Sequence, residues 1–184
     1  MPKGGGTALI VLLCGMLLPV YAASIDVEYQ LKANYLYRFG KFTRWPYLDH
    51  DQKTAHDRHE LFHICVLDLS LFQAALPAVV GQFVGSREVV FQEISTPEEL
   101  KPCEIVFIDQ AHERFWQDAL MPFNEFALTV GESLDFLKNG GIIQFYIESD
   151  KLRFAIHLDN LKTSPLTIQG RLLGLAKRVK QEDL

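Results

Sequence analysis

The chain has 184 residues, 48% of them apolar and 11% aromatic, and its 18 Lys plus Arg face 23 Asp plus Glu for a net charge of −5. That much apolar surface excludes a disordered chain, and a net negative charge argues against a nucleic-acid-binding protein. The length suits one ordinary domain.

The first element is an export signal. Met1 to Lys3 are short and basic, Ala8 to Leu18 are almost wholly apolar, and Pro19 to Ala23 end in small residues, the order of regions in a secretory signal peptide. Its apolar core is shorter than the roughly 20 residues that cross hydrocarbon, which disfavours a retained anchor. Val20 and Ala22 stand three and one before the expected cut, so residues 1–22 are read as cleaved and residues 23–184 as one mature domain. Cys14 follows Leu13 rather than the small residue that lipid attachment needs, so a lipoprotein is disfavoured. Loss of Lys3 takes the mature charge to −6, and Cys65 and Cys103 are the cysteines left. An oxidising compartment favours a disulfide between them; two separately buried thiols are the alternative. Zinc would lack ligands.

Leu31, Tyr35, Phe39 and Phe42, widened by Ala33, Leu36 and Tyr37, predict a helix over 26–43, ended by Trp45-Pro46. The polar stretch 47–60 reads as an exposed loop. Leu61 to Leu67 predicts a strand, followed by a helix from Ser70 burying Leu71, Ala74, Ala75 and Leu76. Arg87 to Ile94 predicts a second strand, and Thr96-Pro97-Glu98-Glu99 a capped helix start. Glu104 to Asp109 is a buried strand, His112 to Leu120 a helix, Phe126 to Val130 a strand and Ser133 to Lys138 a helical turn stopped by Asn139-Gly140-Gly141. The sharpest local signal is a hairpin over 142–158 around Ser149-Asp150. Pairing Glu148 with Lys151 puts Ile143, Phe145, Ile147, Leu152, Phe154 and Ile156 on a core face, and Gln144, Tyr146, Glu148, Arg153, Ala155 and His157 on a polar one. A last helix over 167–180 is expected to bury Ile168, Leu172, Leu175, Ala176 and Val179. Six strands and about five helices make an α/β fold with a mixed, open sheet covered on both faces.

Catalytic chemistry is sparse. Neither Gly85-Ser86-Arg87 nor Gly131-Glu132-Ser133 frames a nucleophile, and Gly140-Gly141 lacks the rest of a phosphate loop. His56 and His59 lie in a non-helical stretch, where their spacing does not build a metal site. The reading is a protein without enzymatic activity, metal or cofactor. Candidate contact residues are Tyr146, Arg153, His157 and Asn160 on and after the hairpin. A second set, Tyr37, Arg38 and Trp45, lies where the first helix carries more aromatics than one buried stripe hides.

The runs Tyr29 to Tyr37, Phe42 to Pro46, Val130 to Ser133, Phe136-Leu137, Gly140 to Ile143, Phe154 to Ile156 and Arg171 to Ala176 together resemble the YfiR family, in order over nearly the whole mature chain. The resemblance implies a periplasmic protein that represses an inner-membrane diguanylate cyclase through that enzyme's periplasmic sensor domain. Such a repressor lowers cyclic di-GMP and biofilm formation with no catalytic residue and no membrane insertion, and a homodimer is compatible with the role. Cys65 and Cys103 match the family's disulfide. Where relatives carry Asn after the Phe-x-Ile strand, this chain has His157. The alternative is a periplasmic small-molecule binding or sensing module acting on another membrane signalling protein, such as a histidine kinase.

Overall fold

The computed structural model describes residues 18–46, 61–100 and 102–183; the expected signal residues 1–17 and the loop 47–60 lie outside that range. The chain enters on α1 (Leu18–Phe42), whose buried face is Lys32, Ala33, Leu36, Phe39 and Gly40, at the spacing of a helix lying on a sheet. The predicted stripe is rotated: Leu31 is 47% exposed and Lys32 is buried. Lys32 is tolerated inside because Glu28 and Glu132 both pair with its ammonium and the Tyr29 ring lies beneath it at 4.3 Å.

After β1 (Thr43–Arg44) come β2 (Leu61–Val66), α2 (Leu76–Val79), β3 (Phe83–Val84), β4 (Arg87–Glu93), β5 (Ile105–Ile108), α3 (Glu113–Phe123), β6 (Leu128–Gly131), β7 (Ile143–Glu148), β8 (Lys151–His157), α4 (Leu158–Thr163), β9 (Thr167–Ile168), α5 (Gly170–Leu173) and β10 (Lys177–Val179). Among the described residues, eight strands form one sheet in the order β10-β8-β7-β6-β5-β2-β4-β3, while β1 pairs with β9. The strands from β7 through β4 run parallel; β8 and β3 are antiparallel to their neighbours β7 and β4, so the mixed α/β class is as read from the sequence. Every residue of β5 and β6 is buried, as befits parallel strands covered on both faces.

One face packs under α1. Phe39 sits 5.0 Å from the Phe154 ring and 5.7 Å from Phe145, and Tyr35 joins them at 5.5 and 5.8 Å. The other face buries Val106, Ile108, Ala127, Phe136 and Leu137 with Trp116 of α3 and the Cys65–Cys103 disulfide. A Cβ at either Gly131 or Gly141 would overlap the Phe136 ring, so both glycines are required by the close approach of an aromatic rather than by backbone conformation.

Several sequence-based expectations are corrected. The helix from Ser70 is a 3-10 turn (Leu69–Phe72) and then α2; Phe72, Ala75 and Val79 are its buried residues, and Ala74 is exposed. Residues 133–141 form hydrogen-bonded turns without a helix. The final helix over 167–180 gives way to β9, α5 and β10. Gly174 ends α5, its N–H returning to the Gly170 carbonyl at 2.9 Å, and β10 takes the open edge of β8 in parallel. Unpaired N–H and C=O groups on that edge outweigh a helical periodicity interrupted by Gly170 and Gly174. Leu175, expected in the core, is 74% exposed.

At the amino end of β5, Glu104 is 3% exposed. Its carboxylate accepts from the His63 N–H at 2.7 Å and from the Arg87 guanidinium at 3.2 Å. Burial outweighs both partners and raises its pKa from 4.5 to about 7. A raised carboxyl pKa contributes stability that is fully present below the unfolded value of 4.5 and is lost as pH rises through about 7, an effect on the order of 3 kcal/mol. The stability difference between wild type and Glu104→Gln should therefore change across pH 4.5 to 7, read as urea midpoints. Parallel pH profiles for the two proteins would refute the assignment.

Candidate functional site

The hairpin forms as predicted. Ser149 and Asp150 adopt φ of 50° and 57°, the left-handed pair that matches a two-residue turn to strand twist. Tyr146 faces Arg153, Phe145 faces Phe154 and Glu148 faces Lys151. Leu152 is the core residue nearest the turn. Ile147, expected inside, is 58% exposed although its partner across the hairpin, Leu152, is buried, so the core boundary falls between the two strands two residues before the turn. Arg153 is exposed, its Nε 4.0 Å from Glu148 Oε2. Tyr146 is half-buried against the second core. Burial, with the Glu148 charge adding to it, pushes its phenol pKa up. One face of the tip thus presents Tyr146, Glu148 and Arg153, and Ile147 projects from the other. An aromatic and an arginine side by side are the residue types that dominate protein–protein contact energies.

His157 and Asn160 have a different setting. His157 is fully buried, which corrects the expectation that it lies on the surface of the sheet. Val179 of β10 is its register partner and closes that side. Its Nδ1 accepts from the Asn160 N–H at 3.0 Å and caps α4, which assigns the ring proton to Nε2. No acceptor meets Nε2 among the described residues. Burial lowers the imidazole pKa, with Asp159 and Asp183 opposing. The Asn160 amide donates to the carbonyls of Leu137 and Gly141, both at 2.8 Å, tying α4 to the turn before β7.

Nor do the α1 residues join the tip. Tyr37 donates to the Phe83 carbonyl at 3.5 Å under the Lys41 ammonium, at the β3 end of the sheet, far along the strand order from β7 and β8. Arg38 is exposed beside it. Trp45 is 3% exposed and packs edge-on to Phe62 at 5.3 Å, so it serves the core.

Ligands of parallel α/β sheets usually sit at the carboxyl ends of the strands. Here those ends are closed by their own loops. Asp68 accepts from the Ser70 N–H, Glu93 from the Leu69 N–H, Asp109 from the Ala111 N–H and Glu132 from the Gln110 N–H, while Lys32 ties Glu132 to α1. Burial, and after it the charges of Glu132, Asp109, Glu28 and Asp68, raise the pKa of the Tyr29 phenol. No group of three metal-ligating side chains occurs among the described residues.

The family model described as YfiR/HmsC-like matches residues 29–177, from Tyr29 in α1 to Lys177 in β10. The chain belongs to the YfiR/HmsC-like family. No curated protein matches it. The YfiR/HmsC-like span includes both disulfide cysteines, the latch from Lys32 to Glu132 and the entire hairpin. Sequence reasoning did not single out Lys32, and it placed Ile147 in the core. Glu28 four residues before Lys32 was the available signal for the first, and proximity to the turn for the second.

Proposed function

We propose that this protein is a periplasmic regulator that binds the sensor domain of an inner-membrane diguanylate cyclase and holds it in its inactive state, lowering cyclic di-GMP and biofilm formation. Membership of the YfiR/HmsC-like family carries the reading. On it, residues 1–22 are a cleaved export signal, residues 23–184 the acting domain, and no catalytic residue takes part. A binder of this kind works by preferring one conformation of its partner, and it shifts that equilibrium only by the difference in affinity for the two states.

The hairpin tip is the preferred contact surface, with Tyr146 and Arg153 as anchors; Tyr37 and Arg38 form the second surface. Alanine at Tyr146 and Arg153 together should weaken binding to the purified sensor domain at least about 30-fold, on the usual scale of aromatic and arginine anchors. Arg153→Ala should leave the melting temperature almost unchanged, since that side chain is exposed, whereas Tyr146→Ala also gives up packing against the second core and should lower it modestly, so binding is read where both variants are folded. In the host, deletion should raise cyclic di-GMP, and the double variant should fail to restore it. Full affinity in the double variant would move the contact elsewhere. A deletion strain with unaltered cyclic di-GMP, together with no cyclase in a pull-down, would overturn the function.

A further inference from the structure

Charge is unevenly distributed along this chain. Residues 151–180 hold seven Lys or Arg and one acid, Asp159, a local charge of +6 in a chain of −5, so the remaining residues carry −11. All seven cations are exposed. Lys162 pairs with Asp159 and Lys180 with Glu182, but Lys151, Lys177 and Arg178 have no carboxylate within 4 Å among the described residues. The fold gathers them. Lys151 and Arg153 alternate onto one face of β8, and the parallel register sets Lys177 beside Ala155 on that same face, while Arg178 stands opposite Ile156 and projects from the other. Both cations therefore flank β10, the terminal strand of the sheet, whose outer edge has no neighbouring strand. Two residues before Lys177, Leu175 is 74% exposed.

We infer that this cationic edge is a docking surface for an anionic phospholipid bilayer. The charges are spread along a strip of roughly 20 Å, the length of the seven-residue β8, rather than gathered into a fork around one carboxylate, and this matches a plane of lipid phosphates. Leu175 supplies an apolar side chain to enter the interface, the combination that peripheral binding uses. Acids border the strip at both ends, Glu148 and Asp150 at the hairpin turn and Glu182 and Asp183 after β10, so the charge it offers a membrane is that of Lys151, Lys177 and Arg178, which have no carboxylate within 4 Å among the described residues. Charge farther away on the domain is screened beyond about 8 Å at physiological salt. No described helix is long and apolar enough to cross a membrane, and the attachment is peripheral and reversible. It holds the protein near a membrane partner and does not depend on the identity of that partner.

The test is co-sedimentation of the purified protein with vesicles of phosphatidylglycerol and phosphatidylethanolamine, with phosphatidylcholine vesicles as the neutral control. Binding should require phosphatidylglycerol and weaken steeply with salt. At about fivefold per cation, Lys177→Gln with Arg178→Gln should reduce the vesicle partition about 25-fold; Lys177→Glu with Arg178→Glu should abolish it. The neutral pair keeps the test open if charge reversal disturbs the edge strand. Tyr146→Ala should leave vesicle binding unchanged, which separates this surface from the protein contact. Sedimentation independent of phosphatidylglycerol, or unchanged in the double Gln variant, would overturn the inference. So would a double Gln variant that keeps its vesicle binding but loses affinity for an acidic protein partner.

Discussion

Replacing Phe136 with alanine is expected to cost about 3–5 kcal/mol, the range for deleting a fully buried aromatic, which is a large part of the 5–15 kcal/mol that holds a typical domain together. The ring is fully buried in the second core and lies between Gly131 at the end of β6 and Gly141 just before β7. The same site fails in the other direction. Gly131→Ala or Gly141→Ala places a methyl group where the ring already is, and overpacking a full core costs about 1–3 kcal/mol or more. Gly141 does not adopt a positive φ, so the loss comes from the ring and not from the backbone. A double-mutant cycle checks this cause: Gly141→Ala should cost much less in a Phe136→Leu background, read as the shift in urea midpoint. Equal cost in both backgrounds would show that the glycine is needed for another reason.

Removal of the disulfide is expected to be nearly as damaging. Cys65 in β2 and Cys103 before β5 are joined across 38 residues, and closing a loop of that length restricts the unfolded chain by about 4 kcal/mol on the entropic account. Both cysteines are buried, so conversion to alanine also removes a little packing. Reduction of the wild type and the Cys65→Ala, Cys103→Ala double variant should converge on one lowered midpoint, with the variant insensitive to reductant. A wild-type midpoint unmoved by a reductant that opens the bridge would refute the estimate. The strands joined are already neighbours through Ile64 and Ile105. The bridge therefore acts mostly on the unfolded chain, and its loss should lower stability while leaving the strand order intact.

Legibility followed the range of the interactions involved. The hairpin was readable to the residue, because alternation and a two-residue turn are decided within the segment itself. The buried parallel strands β5 and β6 were readable as apolar runs of strand length. The last 18 residues were not: α5 stops at Gly174, and β10 forms only because β8 offers it an open edge. The candidate site divided along the same line. Arg153 stays exposed on the hairpin with Tyr146 half-buried across from it, where local strand geometry places them, whereas His157 and Asn160 are drawn inward by α4, β10 and the carbonyls of Leu137 and Gly141.

By itself, then, the sequence determined the α/β class, the hairpin with its register, the pairing of its cross-strand neighbours and the family, since each of these rests on patterns contained within short runs of residues. Tertiary structure alone decided which side of α1 is buried, that Lys32 is latched to Glu132 from 100 residues away, that His157 is an internal cap, and that the C-terminal cations line a sheet edge. These depend on contacts between segments far apart in the chain. Their energies come from desolvation, ion pairing and shared edges, which no local periodicity records.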